Sequence, residues 1–370
     1  MNLRIRDNLV YWLHRGMAAA GKIRPAPLAE IQRDGFQRIL VVATTAIGDA
    51  VLCAPLIDSL REACPRARIG FWVSAAAVPL FDGRDGLDSV LPYHGKYRRV
   101  RQTIERLRRE RYDLALVANA NDPDVIPMIW WSGCKRIIRR PQRNTIYSFM
   151  IANPEMLSVS HISGHAIARN LEFCDLLRIP RGEARTCLEV KPETGLRVRS
   201  LIGEAPQPWW CIHPGSSRPE KQWDAARYAE LARRILGKFP GTLLITGAHH
   251  EKAICDQVER ETGGGGRVRN LAAQFRLDEL AALLKEVGLL ISGDTGPYHI
   301  AMALGAPTVT LFAPWDAGSS AAINGPYFDR EIHRVVETAH LGDPISTIQA
   351  DQVFDACALF LPDCPIQPKL

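Results

Sequence analysis

The sequence lacks any run of about 18 apolar residues, so no transmembrane helix is expected. Its N-terminus has neither the apolar core nor the small-residue cleavage site of a secretory signal. The nine cysteines are odd in number and scattered, and they form no C-x-x-C pair. Such a pattern is typical of reduced, mostly buried thiols in a cytosolic protein. These absences predict a cytoplasmic protein.

Signatures of nucleic-acid and mononucleotide binding are also missing. The glycines at 263–266 predict a flexible turn and have neither Walker nor Rossmann spacing. No zinc-finger, helix-turn-helix or RNA-binding motif occurs, and few aromatic residues lie among the basic ones. Nucleic acid is therefore not an expected partner.

What the chain has is globular composition and an uneven charge. Its 370 residues are 46% hydrophobic and 23% charged, which suits two domains of ordinary size. Residues 1–200 carry 31 Lys and Arg against 20 Asp and Glu, whereas residues 201–370 carry 15 against 20. A basic first half predicts an anionic partner, such as an acidic substrate or a membrane surface.

The stretch from Ser292 to Pro314 predicts a strand, a tight turn, a short helix and a second strand. The apolar run that ends at Gly293 and the β-branched run from Thr308 to Phe312 are typical of buried parallel strands. Between them, Asp294 and Thr295 suit a helix start at the sheet edge where α/β proteins bind ligands. The N–H groups there predict an anion site. A plain helix cap is the alternative, and the Asp294 carboxylate would repel a phosphate unless it capped the helix or met a sugar hydroxyl.

A similar arrangement occurs near the beginning of the chain. Arg38 to Thr45 predicts a buried strand, Gly48 a turn and Asp49 the start of an amphipathic helix. Asp49 is therefore expected at the carboxyl end of the first strand. Helix capping and catalysis are both open for this carboxylate.

The N-terminal segment, Met1 to Arg24, places Leu9, Leu13 and Met17 at helical spacing among basic residues. A basic amphipathic helix can lie on an anionic membrane, and it can equally dock on the protein's own core. Both interpretations stay open.

Two basic clusters lie further along the first half. Lys96 to Arg111 contains eight basic residues and two acidic ones. The second cluster consists of Lys135, Arg136, Arg139, Arg140 and Arg143. Charge runs are commonly solvated helix faces, but two clusters in one domain favour a surface that faces an anion. The candidate contacts are Lys96, Arg98, Arg99, Arg101, Arg139 and Arg140.

Asp122-Pro123-Asp124 resembles the D-x-D of metal-dependent glycosyltransferases. With an Asn before it and a Pro inside it, the sequence favours a turn after a strand, and no metal site is expected.

Four stretches together resemble the lipopolysaccharide heptosyltransferases, glycosyltransferase family nine. They are RILVVATTAIGDAVLCAPLIDSLR from Arg38, HPGSSRPEKQW from His213, ITGAHHE from Ile245 and SGDTGPYHIAMALGAPTVTLFAP from Ser292. The resemblance implies a GT-B fold, in which two Rossmann-like, doubly wound α/β domains face a central cleft. Residues 1–35 would be a basic amphipathic extension, 36–200 the acceptor-binding domain, 201–345 the nucleotide-sugar-binding domain, and 346–370 a helical segment packing back on the first domain.

The resemblance also implies an activity: inverting, metal-independent transfer of a sugar, such as a heptose from ADP-heptose, onto a lipopolysaccharide core or related cell-surface glycan. The acceptor would be an anionic glycolipid at the cytosolic face of the inner membrane, and no cofactor is implied. Asp49 matches the family's proposed general base, and Lys221 its diphosphate-binding lysine. The other positions matching donor-binding residues are Ser216, Ser217, Glu251, Asp294, Thr295, Gly296 and His299.

Two other functions fit the same fold. A nucleotide-sugar epimerase would need no membrane acceptor, but it leaves the basic first half unexplained. A nucleotide-sugar-binding protein without catalysis is the non-enzyme alternative, against which Asp49 and Lys221 both argue.

Overall fold

The computed structural model describes residues 3–140, 146–154, 164–263, 265–316 and 318–361. The chain forms two compact units, Met1–Thr186 and Cys187–Leu370. The predicted boundary after residue 200 is therefore too late. Helix Pro192–Ile202 packs against helix Leu277–Glu286, so it belongs with the second unit.

The first unit is built on a five-stranded parallel sheet in the order β3-β2-β1-β4-β5. Its strands are β1 (Arg38–Ala43), β2 (Arg68–Ser74), β3 (Ser89–Tyr93), β4 (Leu114–Asn119) and β5 (Ile137–Arg139). Its helices are α1 (Leu3–Ala19), α2 (Leu28–Asp34), α3 (Ile47–Val51), α4 (Ala54–Ala63), α5 (Val78–Phe81), α6 (Val100–Glu110), α7 (Val125–Ser132) and α8 (Ala166–Leu177), with a 3-10 turn at Ser148–Met150. The central strands β1 and β4 are continuous apolar runs because helices cover both faces of a parallel sheet.

The second unit contains a six-stranded parallel sheet in the order β11-β10-β9-β6-β7-β8. Its strands are β6 (Trp209–His213), β7 (Thr242–Ile245), β8 (Val268–Asn270), β9 (Leu289–Gly293), β10 (Thr308–Phe312) and β11 (His333–Glu337). Its helices are α9 (Pro192–Ile202), α10 (Ala225–Lys238), α11 (Lys252–Thr262), α12 (Leu277–Glu286), α13 (Gly296–Ala303), α14 (Ala321–Asn324) and α15 (Ala350–Ala358), and 3-10 turns lie at Pro219–Lys221, His249–Glu251 and Ile345–Thr347. The strand-turn-helix-strand unit predicted for Ser292 to Pro314 is present as β9, α13 and β10.

The C-terminal helix α15 does not follow the prediction that it packs on the first domain. Val353, Phe354 and Cys357 are buried in the core of the second unit. The indole N–H of Trp223 donates to the carbonyl of Ile348 at 3.0 Å, which fixes the segment before the helix. The last part of the predicted segment, residues 362–370, lies outside the described residues.

The N-terminal helix α1 docks on the first unit along one face. Val10 and Met17 pack against the core cluster, and His14 is only 2% exposed. The ring of His14 accepts a hydrogen bond from the indole N–H of Trp131 at 2.8 Å. Within the described chain, no helix is both long and apolar enough to cross a bilayer.

Candidate functional site

Both sheets reverse their direction of winding at a central pair of strands. In the first unit the chain runs from β1 outward to β3 and then returns to place β4 on the other side of β1. In the second unit β6 and β9 are the corresponding pair. Ligands of doubly wound proteins bind at the carboxyl ends of such strands, so each unit has one topologically favoured binding region.

Asp49 lies at the switch point of the first unit, in helix α3 directly after β1. Its carboxylate is half-buried and accepts a hydrogen bond from the hydroxyl of Thr45. The N-cap residue of α3 is Ala46, and the Asp49 side chain does not cap the helix. The position predicted from sequence therefore carries a half-buried carboxylate held by a neighbouring hydroxyl.

Two buried arginines share the electrostatic environment of Asp49. Arg140, just after β5, donates to the amide oxygens of Asn119 at 2.7 Å and Asn170 at 2.8 Å. Arg169, on α8, is 9% exposed, and the charges of Asp49 and Arg140 both act on it. The amide of Asn170 also donates to the carbonyl of Leu52, which ties α8 to the end of α3.

Burial acts on both guanidinium groups. It lowers the pKa of Arg140, and together with the charge of Arg140 it lowers the pKa of Arg169 to about 10. Both side chains remain cationic near neutral pH. Because two cations share the surroundings of the single Asp49 carboxylate, this edge of the sheet attracts a further anion. Arg169 was not predicted as a site residue, because nothing in its local sequence connects α8 with Asp49.

In the second unit, Lys221 and Asp294 meet at the switch point. Lys221 ends the 3-10 turn after β6, and its ammonium forms an ion pair with the Asp294 carboxylate and donates to the Asp294 carbonyl at 3.2 Å. The other carboxylate oxygen of Asp294 lies 3.3 Å from Nε2 of His299. Burial opposes ionisation of Asp294, but His299 and Lys221 outweigh it and lower its pKa. The expected repulsion between Asp294 and an anion is thus offset by a fixed cation.

Helix α13 begins at this loop. Thr295 occupies the N-cap position as predicted, but its hydroxyl donates back to the carbonyl of Gly293 at 3.3 Å and does not cap the helix. First-turn N–H groups of a helix lack intrahelical acceptors, and Gly296 adds no side chain in front of them. Among the described residues, no hydrogen-bond partner is recorded for Nδ1 of the buried His299. The helix start therefore offers donors suited to an anion.

Glu251 is held tightly beside β6 and β7. Its carboxylate accepts the backbone N–H of Ala248 at 2.7 Å and lies 3.4 Å from Nε2 of His213. Burial opposes its ionisation, but the hydrogen bond and charge of His213 and the Ala248 N–H prevail and lower the pKa of Glu251 to about 2. A Cβ on Gly215 would overlap Cδ of Glu251, so a side chain there would force Glu251 to move. His213 and Gly215 were missed as parts of this arrangement.

The serines before Lys221 are placed differently from each other. Ser216 is half-buried, and its hydroxyl accepts the backbone N–H of Arg218 at 3.2 Å, whereas Ser217 is exposed. The indole of Trp315 lies 5.1 Å from the Lys221 ammonium and 5.0 Å from the Arg218 guanidinium. Trp315 was not predicted as a site residue, yet it provides an aromatic surface next to Lys221.

The candidate acceptor contacts separate into two groups. Lys96 is paired with Asp7 at 2.6 Å, and Arg101, 93% exposed, is paired with Glu105. Arg98 and Arg99 are exposed as well. Arg139 is buried like Arg140, and it donates to the carbonyl of Ala120 at 3.0 Å. Of these candidates, Arg140 lies in the electrostatic environment of Asp49. Lys96, Arg98 and Arg99 lie in the loop after β3, and Arg101 lies on α6. Arg143 of the second cluster lies outside the described residues.

Asp122 and Asp124 form part of a hydrogen-bond network. The Tyr93 hydroxyl donates to both carboxylates, at 2.6 and 3.0 Å, and Asp124 also accepts the N–H of Tyr97. Burial raises the pKa of Asp124. In the described ranges no group of three or more His, Cys, Asp or Glu residues is arranged to hold a metal.

Comparison with known proteins agrees with this architecture. One similar solved structure is a glycosyl transferase family 9 protein from Veillonella parvula. The match covers 88% of this chain and 97% of that protein, with 19% identity and a TM-score of 0.72. Another is E. coli ADP-heptose lps heptosyltransferase II, for which the match covers 88% of this chain and 98% of that protein, with 20% identity and a TM-score of 0.69. The protein therefore has the GT-B fold, as predicted.

Sequence comparison identifies the family. Residues 100–338 match Glycosyltransferase family 9 (heptosyltransferase), which is more than half of the chain. A lipopolysaccharide heptosyltransferase 3 of Escherichia coli is 22% identical over 282 residues, covering 73% of this chain and 81% of that protein. The chain belongs to glycosyltransferase family 9 and is a glycosyltransferase.

Proposed function

We propose that this glycosyltransferase moves a heptose from ADP-heptose onto the core of lipopolysaccharide or a related cell-surface glycan. The similar proteins are named for ADP-heptose and lipopolysaccharide, which supports this donor and this acceptor class. The observation that carries the proposal is the position of Lys221 at the switch point of the second unit, beside the start of α13. A fixed cation next to free helix N–H groups is suited to a sugar diphosphate.

The first unit would activate the acceptor. Asp49 takes the proton of the acceptor hydroxyl while the hydroxyl oxygen forms a bond to the anomeric carbon of the donor sugar. The bond from that carbon to the phosphate oxygen breaks, its electron pair leaves with ADP, and a single displacement inverts the configuration. Thr45, which donates to the Asp49 carboxylate, fixes the orientation of the base.

The second unit would hold the donor. Lys221 and the N–H groups at Thr295 and Gly296 stabilise the negative charge that grows on the leaving diphosphate, the task that a divalent metal performs in other enzymes. In this proposal Asp294 and His299 orient Lys221, and Ser216 and Ser217 contribute hydroxyls to the same anion. Glu251, kept ionised by His213, accepts hydrogen bonds from the nucleoside. The transfer then requires no metal and no further cofactor.

The acceptor would be recognised through its negative charges. Arg139, Arg140 and Arg169 lie at the Asp49 edge of the sheet and can bind an acceptor carboxylate or phosphate. A phosphorylated glycolipid of this kind is presented at the cytosolic face of the inner membrane. We propose that the protein is cytoplasmic and works at that surface.

Transfer can be tested with ADP-heptose and a heptose-deficient lipopolysaccharide core, with product mass as the readout. We expect addition of one heptose in the presence of EDTA, and a loss of about 10²- to 10⁴-fold in kcat for Asp49→Asn with unchanged folding. Activity that EDTA abolishes and magnesium restores would contradict the metal-independent scheme. Near wild-type rates for Asp49→Asn would remove the general-base role.

A further inference from the structure

The outer face of α1 is apolar although the helix is already docked through its other face. Ile5, Leu9, Trp12 and Leu13 are 57 to 67% exposed. At 100° per residue these four side chains form one stripe, opposite the buried His14. Clustered apolar exposure of this kind marks an interaction surface.

The helix that carries the stripe is fixed in place. Asp7 forms an ion pair with Lys96, His14 accepts the Trp131 indole N–H, and the Tyr11 ring packs edge-on against Phe149. These contacts tie α1 to three separate segments of the first unit. The stripe is therefore a preformed surface, and it does not depend on folding of a loose tail.

Basic residues border the stripe. Arg6 and Arg15 lie on its two sides and are exposed, with their guanidinium groups over the rings of Tyr97 and Phe149. The loop bound to Asp7 continues into the exposed Arg98 and Arg99. Apolar residues that include an indole, with cations at the margin, match the depth profile of a bilayer surface that carries negative charge.

We propose that the α1 stripe, defined as Ile5, Leu9, Trp12 and Leu13, inserts into the surface of an anionic phospholipid bilayer. The stripe is convex and has arginines on both sides, features that suit a lipid surface better than a groove-forming protein partner. It gives the first unit a fixed orientation on the membrane. The inference rests on the proposed function only for the identity of that membrane.

The bilayer test uses the full chain and sedimentation with vesicles of phosphatidylcholine, with or without phosphatidylglycerol. Wild type should bind the anionic vesicles, and Leu9→Ser/Leu13→Ser should weaken the apparent partition by about tenfold or more. Leu196→Ser/Leu341→Ser is the matched control, since these leucines are 69% and 63% exposed on the second unit. The control should bind within about twofold of wild type.

Insertion itself is read from the fluorescence of Trp12. Brominated lipids should quench wild type more strongly than Trp12→Phe, which keeps the apolar surface but removes this fluorophore. Arg98→Gln/Arg99→Gln should reduce binding to anionic vesicles and leave binding to neutral ones unchanged. Equal quenching of wild type and Trp12→Phe would place the stripe outside the bilayer.

Several results overturn the proposal. The first is absence of vesicle binding by wild type, and the second is unchanged vesicle binding by Leu9→Ser/Leu13→Ser. The third is that wild type binds no vesicles but self-associates with rising concentration, and that Leu9→Ser/Leu13→Ser does not self-associate. Failure of heptose transfer leaves these readouts intact, so the two proposals fail separately. Transfer to a water-soluble, delipidated acceptor should be the same for wild type and the stripe variant.

Discussion

Lys221 and Asp294 are 73 residues apart in sequence, and the ammonium of one contacts both the carboxylate and the carbonyl oxygen of the other. The contact joins the turn after β6 to the loop after β9. It holds the cation of the proposed donor site against the start of α13 and neutralises the Asp294 carboxylate, which would otherwise oppose an anion there.

Removal of the cation should cost stability as well as donor binding. Lys221→Met leaves the Asp294 carboxylate buried with His299, so we expect the free energy of unfolding to fall by about 1–3 kcal/mol, less than for a fully buried pair. Lys252→Met is the matched control, because Lys252 pairs with Asp256 on an exposed helix surface. That change should cost less than about 0.5 kcal/mol in urea titrations. Equal losses in both variants would contradict the buried character of the Lys221 pair.

The depressed pKa of Glu251 predicts a pH dependence of stability. The folded pKa of about 2 lies below the ordinary value of 4.5, so the stabilisation is present above pH 4.5 and is lost as pH falls toward 2. We expect wild type to exceed Glu251→Gln by about 2–3 kcal/mol at pH 6, and the difference to shrink toward pH 2. Urea unfolding at several pH values measures it. A difference that does not change with pH would show that the neighbours of Glu251 do not lower its pKa.

Gly215 should be intolerant of a side chain for one specific reason. Gly215→Ala places Cβ against the Glu251 carboxyl group, so we expect a loss of stability of about 1–3 kcal/mol. In a Glu251→Ala background the obstructing atoms are gone, and the same change should cost much less. Gly237→Ala, inside α10 and with open space around it, should instead stabilise by about 0.5–1 kcal/mol. Additive losses for Gly215 and Glu251 would argue against the contact.

The buried and exposed arginines should differ in their effect on acceptor use. Arg140→Gln removes a cation from the Asp49 edge, so we expect the KM for a soluble acceptor to rise by about tenfold or more. Arg101→Gln should leave that KM within about twofold, because Arg101 is solvated and paired with Glu105. Circular dichroism checks folding of the Arg140 variant, whose amide partners lose their donors. A larger effect for Arg101 would move acceptor binding to α6.

Much of the fold could be predicted from local pattern. Apolar runs indicated the central strands, and the turn-forming residues around Gly48 and Gly293 indicated the loops after β1 and β9. The edge strands β3 and β5 were missed, since Pro92 interrupts one and the other has three residues. Short edge strands have too little periodicity to be recognised without their neighbours.

The site was predicted only in part, for a related reason. Asp49, Lys221 and Asp294 lie in motifs, so the sequence indicates them directly. Arg169 reaches the environment of Asp49 through tertiary packing of α8, which no local pattern encodes. The predicted packing of α15 on the first domain was wrong for a similar reason. An amphipathic pattern shows that a helix has an apolar face, but it does not show which core that face covers.

The most direct test of the proposed donor site is calorimetric titration of the purified protein with ADP in the presence of EDTA, compared with Lys221→Met. The proposed function predicts binding of one ADP without metal, weakened by about tenfold or more in the variant. UDP and GDP should bind more weakly than ADP. Absence of ADP binding without metal, or equal affinity in wild type and Lys221→Met, would contradict a lysine-based, metal-independent donor site.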